Sequence, residues 1–366
     1  MPRGVARAAA AAAASAKAAG PSQSCADFQR RLHLPGDKDH RRPWMREPWV
    51  QRPPDNATHQ RPRVFDAFMF AGETELLETR VHILSSIVDV FVVVEADMAH
   101  SGLFNRSLVF PAAVKERAGL RQLASRIHYK GIRVRGDPPV KHCLTEVSRA
   151  SYGAAMRCEH HMRGLLLREL AAAGARPTDI VISSDVDEIP KPEYLWPFKE
   201  CALFDASSTL QTHPMVTILL AETYMFNIGC PTGQNRWSYG PKVGAFFQFD
   251  LKRDQPWSAS NGMNIRRWGN SATSGARWEN AAWHLTNFMS PQMFASKLEG
   301  FFHFRDFTRE QRDVGHITEL MDKCKTPYPS KYRRMRYKPP VLGSPSSDAL
   351  AYIHEHFPKL RARTQS

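Results

Sequence analysis

The sequence has no run of about 20 apolar residues, and so nothing that reads as a membrane-spanning helix. No Gly-x-Gly-x-x-Gly follows either early strand and no P-loop occurs, which argues against dinucleotide-binding and phosphate-loop folds. Six cysteines (Cys25, Cys143, Cys158, Cys201, Cys230, Cys324) are scattered without a Cys-x-x-Cys pair. A zinc ribbon is therefore not expected, while the even count permits disulfides without requiring them. Acids are also scarce, with 36 Asp and Glu against 50 Lys and Arg in 366 residues and a net charge of +14. As a bulk number this points to a polyanion or an anionic membrane.

The distribution of charge removes that reading. Residues 1–63 carry 12 basic and 5 acidic side chains, residues 323–366 carry 10 and 2, and residues 64–322 carry 28 and 29. The middle is nearly neutral, and the excess belongs to two ends rich in Pro, Ala and Arg. No nucleic-acid partner is expected, and the ends suit solubility or peripheral contact with a membrane. The first twenty residues are basic, acid-free and Ala-rich, with too little apolar bulk for a secretory core. Pro35, Pro43, Pro48, Pro53, Pro54 and Pro62 keep the next stretch extended. The expected organisation is a disordered basic stem or targeting region over 1–63, one catalytic domain over 64–322, and a basic, partly helical tail over 323–366.

Within the middle, 64–70 reads as a strand ended by Gly72. A helix is expected from about Glu73, with Leu76, Leu77, Val81 and Leu84 at helical spacing. Residues 87–94 are too continuously apolar for an edge, which predicts a buried parallel strand after a right-handed crossover. A third strand over 126–134, a long helix over 147–173 and a fourth strand over 179–184 complete an α/β pattern. A ligand then belongs at the carboxyl ends of the parallel strands.

The fourth strand runs into Asp185-Val186-Asp187-Glu188-Ile189-Pro190. If the segment stays extended, Asp185 and Asp187 share a face and Val186 points to the core. Two carboxylates on one face suit a hard divalent cation, although an acidic turn after a strand needs no metal. About 120 organised residues precede the motif, unlike the haloacid-dehalogenase phosphatases, where Asp-x-Asp opens the domain.

The ordered set Phe65-Asp66-Ala67-Phe68-Met69-Phe70, Glu73, Leu76-Leu77-Glu78, Arg80, Val92-Val93-Val94-Glu95-Ala96, Ser184 to Pro190, and Ala282-Trp283-His284 resembles glycosyltransferase family 17. That is the family of the β-1,4-mannosyl-glycoprotein 4-β-N-acetylglucosaminyltransferases, with a GT-A-like, mainly parallel sheet flanked by helices. The resemblance spans roughly residues 64–307. It implies transfer of GlcNAc from UDP-GlcNAc, with Mn²⁺ or Mg²⁺, to the β-linked mannose of an N-glycan, with inversion. It also implies a Golgi or secretory location, although the membrane anchor of animal members has no counterpart here. The family's Gly-Trp-His stands as Ala282-Trp283-His284.

The resemblance gives the metal to Asp185, Asp187 and His284, with Asp187 the more direct ligand. Topology and the resemblance both put Glu95 at the donor; Asp66 and Glu188 are further candidates for donor contacts, Glu188 also for support of the metal shell, and Trp283 is a candidate acceptor platform. Beside these stand plainer alternatives. Asp66 suits a buried hydrogen-bonding group, Trp283 and Phe288, Phe301, Phe302 and Phe304 suit core packing, and Glu188 suits capping. Glu78 and Arg80, two apart on a helix, do not face each other and pair elsewhere. Inversion needs a general base; Glu279, Glu222 and Asp250 are all open, and none is assigned. The rival reading is a non-catalytic sugar-nucleotide or glycan-binding protein on the same fold. Asn56-Ala57-Thr58 and Asn105-Arg106-Ser107 are glycosylation acceptors in a secretory chain.

Overall fold

The fold is a computed structural model describing residues 25–32, 60–99, 105–134, 152–201, 216–232, 240–246, 277–300 and 307–326. In chain order the elements are α1 (Cys25–Leu32), β1 (Val64–Phe70), α2 (Thr74–Leu84), β2 (Val90–Ala96), α3 (Phe110–Glu116), α4 (Ala118–Gln122) and β3 (Ile127–Ile132). There follow α5 (Tyr152–Ala172), β4 (Ile180–Asp185), β5 (Glu188–Pro190), α6 (Pro192–Glu200), β6 (Thr217–Met225), β7 (Lys242–Ala245), β8 (Arg277–Thr286), α7 (Pro291–Gly300) and α8 (Val314–Asp322).

β1 is buried along its whole length, and its two-residue period sends side chains into two helix layers. Val64, Phe68 and Phe70 pack in the cluster of Leu76, Leu77, Val81 and Leu84 on α2. Phe65, Ala67 and Met69 pack with Met162, Leu165, Leu166 and Leu170 on α5. Gly72 holds φ +105°, where a residue with a Cβ is strained, so the chain turns there into α2.

The eight strands run in the order β3-β2-β1-β4-β7-β6-β8-β5. β3, β2, β1 and β4 are parallel, β7 is antiparallel to both neighbours, β6 and β8 are parallel, and β5 is antiparallel to β8. The expected mixed, mainly parallel α/β sheet is what forms. Only Val186 and Asp187 join β4 to β5, yet three strands lie between them in the sheet order. Three peptide steps reach about 10 Å, whereas four strand spacings in a flat sheet need about 19 Å. The second half therefore curls until β5 returns beside the end of β4, and residues 186–187 sit at that seam.

Three described stretches outside 64–322 are tied to it, while 1–24, 33–59 and 327–366 lie outside the described residues. Cys25 of α1 is disulfide-bonded to Cys201 (Cα–Cα 5.8 Å), and Phe28 is buried against Tyr194 and Trp278. Arg61 pairs with Glu200 and Arg63 with Asp179. At the other end Cys324 is bonded to Cys230 (Cα–Cα 5.4 Å). Residues 25–32, 60–63 and 323–324 thus attach to the catalytic body. Composition missed α1 because one helical turn of apolar contact, Cys25 and Phe28, is diluted by the Pro- and Arg-rich flanks. Among the described residues no helix is long and apolar enough to cross a membrane.

Candidate active site

The alternation that organises β1 also organises the end of β4. Ile180, Ile182 and Ser184 fall on the α2 side and Val181 and Asp185 on the α5 side, so successive residues meet different helices. On the α2 side stands Arg80, wholly buried. Its Nε and Nη2 donate to Asp66 Oδ2 and Oδ1 at 2.7 and 2.6 Å, and Nη2 also donates to Ser184 Oγ at 2.7 Å. Its Nη1 donates to the carbonyls of Asp185 (2.9 Å) and Glu188 (2.7 Å). All five guanidinium N–H groups are satisfied, and two of them clamp the backbone on either side of the acidic turn. β1 points Asp66, named above as a donor contact, to the α2 face, where it is buried and both its carboxylate oxygens accept from Arg80. Glu78, as expected, pairs elsewhere, accepting from Arg117 Nη1 at 3.0 Å.

On the α5 side Arg163 donates through Nη1 to Asp185 Oδ1, and its Nε donates to Glu159 Oε1 at 2.9 Å. Glu188 is completely buried, and its Oε2 accepts from the backbone N–H of Asp185 at 3.0 Å. It closes the turn from within and is not exposed to a donor. Nearby lies Lys242 at the start of β7, paired in register with Ser183, fully buried and with no hydrogen-bond partner for Nζ. Burial lowers its pKa to about 8, against the pull of the Glu188 carboxylate, while Arg163 pushes the same way as burial.

Residues 186 and 187 leave the strand as a turn, so the expected shared face of Asp185 and Asp187 does not form. Val186 does enter the core. Asp187 is held with β8, its carbonyl accepting from Leu285 N at 2.7 Å, and Oδ2 lies 3.8 Å from His284 Nε2. Burial raises the Asp187 carboxyl above its usual range; Lys297 and Arg163 oppose this and Glu73 reinforces it. Among the described residues no three His, Cys, Asp or Glu side chains converge as a ready cation cage. The expected trio therefore divides: Asp187 and His284 approach each other, whereas Asp185 is engaged by Arg163. A carboxylate oxygen and an imidazole nitrogen 3.8 Å apart are donor types that a divalent transition-metal ion accepts.

Glu95 ends β2 at the expected edge, beside Phe70, but is 2% exposed. Its carboxylate accepts from Val109 N (2.8 Å), Phe110 N (3.2 Å) and Tyr129 Oη (2.8 Å). It caps the start of α3, because that helix brings unsatisfied N–H groups to it. Trp283 is likewise 2% exposed, packed in the core, with Lys191 Nζ 5.3 Å from its ring centroid. It offers no face to an acceptor sugar. Lys191 is held by Asn280 Oδ1 (2.8 Å) and lies 3.6 Å from Glu222. Of the open base candidates, Glu222 is partly exposed beside Lys191, Glu279 is exposed and Asp250 lies outside the described residues. Phe288 is core, while Phe301, Phe302 and Phe304 also lie outside.

Arg163 and Lys242 were not anticipated. A signal for Arg163 was present: a base four residues after Glu159 on a helix face otherwise made of Met162, Leu165 and Leu166. Lys242 had no such signal, since its burial depends on the pairing of β7 with β4.

No curated protein matches the chain in sequence. Among solved structures, glucosyl-3-phosphoglycerate synthase from Mycobacterium tuberculosis, in complex with Mn²⁺, uridine diphosphate and phosphoglyceric acid, is similar at 11% identity. The match covers 65% of this chain and 78% of that one with a TM-score of 0.25, and carries no weight below. The profile of glycosyltransferase family 17 matches residues 49–238, just over half of the chain and including β1, Arg80, β4 and the acidic turn. The chain is a glycosyltransferase and belongs to glycosyltransferase family 17.

Proposed function

We propose that this glycosyltransferase is metal-dependent and inverting, and moves GlcNAc from UDP-GlcNAc to the β-linked mannose of N-glycans in a β-1,4 linkage of the bisecting type. The observation that carries the metal dependence is the buried Asp187 carboxylate facing His284 Nε2 at the carboxyl edge of the parallel strands. Asp187 and His284 would hold Mn²⁺ or Mg²⁺, and the ion, when bound, neutralises charge developing on a diphosphate leaving group.

The chain's own residues keep the turn in place. Arg80 fixes the carbonyls of Asp185 and Glu188, and Glu188 fixes the Asp185 N–H, so little reorganisation is needed when substrate arrives. The donor and acceptor are those that family 17 membership suggests. A secretory location is supported by two disulfides and by the exposed Asn105 of a glycosylation triplet.

Incubating the full chain with Mn²⁺, a panel of UDP-sugars and a biantennary N-glycan, with products read by mass, tests the proposal. Transfer is expected from UDP-GlcNAc, and chelation should stop it. Asp187→Ala should lower turnover by at least about 100-fold with circular dichroism unchanged; undiminished turnover would remove the assignment.

A further inference from the structure

Arg163 has more hydrogen-bonding capacity than the protein uses. Its Nε and Nη2 lie 2.9 and 2.8 Å from Glu159 Oε1, and Nη1 meets Asp185 Oδ1. Two of its five N–H groups thereby donate hydrogen bonds, and Nη2 is in ion-pair contact with Glu159. Among the described residues no protein atom accepts from the second N–H of Nη1 or of Nη2. The side chain is only 8% exposed, so these two donors are largely withdrawn from water. They sit at the carboxyl end of β4, where the surroundings are otherwise rich in carboxylates, and the Arg163 charge also reaches Asp187.

A guanidinium clamped on one side by Glu159 and steered on another by Asp185 is a preorganised fork. The remaining N–H groups of its two terminal nitrogens are of the kind that donate to phosphate oxygens. Lysine at this position would supply charge but no fork. We infer that Arg163 binds the diphosphate of the nucleotide-sugar donor, and that Asp185 acts by aiming Arg163 and not by ligating the metal. This rests on the reading of the chain as a nucleotide-sugar-dependent transferase. It divides the acidic motif into two tasks: Asp185 orients a protein cation, and Asp187 faces the cation site with His284.

Calorimetry of the full chain with UDP and with uridine, each in Mn²⁺ and in EDTA, tests the division. Wild type should bind UDP in Mn²⁺; if it does not, the nucleotide-sugar reading itself fails. In EDTA it should still prefer UDP over uridine by roughly tenfold, because the protein cation remains. Arg163→Met should abolish that preference while leaving uridine affinity within about twofold, and Arg163→Lys should keep part of it. A structural role alone would weaken uridine and UDP together. Asp185→Asn should weaken UDP and leave Mn²⁺ affinity unchanged. Equal affinities for UDP and uridine in EDTA, an undiminished preference in Arg163→Met, or loss of Mn²⁺ binding in Asp185→Asn would overturn the inference. If Arg163→Met fails to fold, the wild-type comparison in EDTA still decides.

Discussion

The two halves of the sheet treat buried charge in opposite ways. In β3-β2-β1-β4 the strands are all parallel, and the ions buried on the α2 side and at the end of β2 are saturated: Arg80 uses every N–H, and Glu95 accepts from three donors. In β7-β6-β8-β5 directions are mixed, and the register shifts between Leu219 and Ala221. Phe226, Asn280 and Asn287 hold positive φ of 69°, 54° and 60°, and Lys242 Nζ has no hydrogen-bond partner. Asn280 and Asn287 bracket His284 along the chain. The first half makes a rigid mount for the acidic turn. The second delivers His284 at the cost of regular backbone, and strain of that kind collects where a site must be shaped.

Breaking the saturated half should have the largest effect on stability. Arg80→Leu leaves Asp66 charged, buried and unpaired, which is expected to cost about 3–5 kcal/mol in urea unfolding. Combining it with Asp66→Asn should recover a large part of the loss, since the stranded charge is then gone. The contrast fails if Arg80→Leu unfolds at the wild-type midpoint.

A covalent tie, Cys230 to Cys324, secures the second half. Replacing both by Ser should cost about 2–4 kcal/mol. Amide exchange should quicken in β6 and α8 while β1 and β2 keep wild-type protection; uniform quickening would show that the halves do not open separately.

The smallest change carries the opposite sign. Lys242→Met removes a buried charge and should stabilise the protein by about 1 kcal/mol or more near neutral pH. Because burial lowers Lys242 to about 8 from 10.5, the unfolded chain binds a proton that the folded chain lacks between those values. Wild-type stability should therefore rise with pH through that window, and the Met variant should lack this contribution. Melting temperatures at pH 7, 8, 9 and 10 would reveal the difference, and parallel curves would remove it.

Much of the first half was legible in the residues. Val64–Phe70 forms over the expected span, Gly72 ends it with φ +105°, and the strands and helices that follow fall within a few residues of their expected limits. These elements are governed by local periodicity, and each buries apolar faces in a regular α/β order. In the second half β5 is three residues long and β7 four, too short for a period to declare itself, and β6 and β8 are continuously buried over most of their length. Site residues divide similarly. The Asp-x-Asp at a strand end was visible, whereas the burial of Asp66, Glu95, Glu188 and Trp283 was not.

By itself the sequence determined the near-neutral core between basic ends, the parallel nucleus and the acidic turn after its fourth strand. Which helix layer Ser184 or Asp185 meets follows from the two-residue period once the strand is known. What stands in that layer does not. Arg80 comes from 14 residues beyond Asp66 and 105 before Asp185, and Arg163 and Lys242 arrive through packing and strand pairing. Only the tertiary structure decided which carboxylate receives a partner and which stays desolvated, because burial and charge pairing are properties of the assembled site. Two aspartates of the same chemistry, two residues apart, thereby acquire different surroundings.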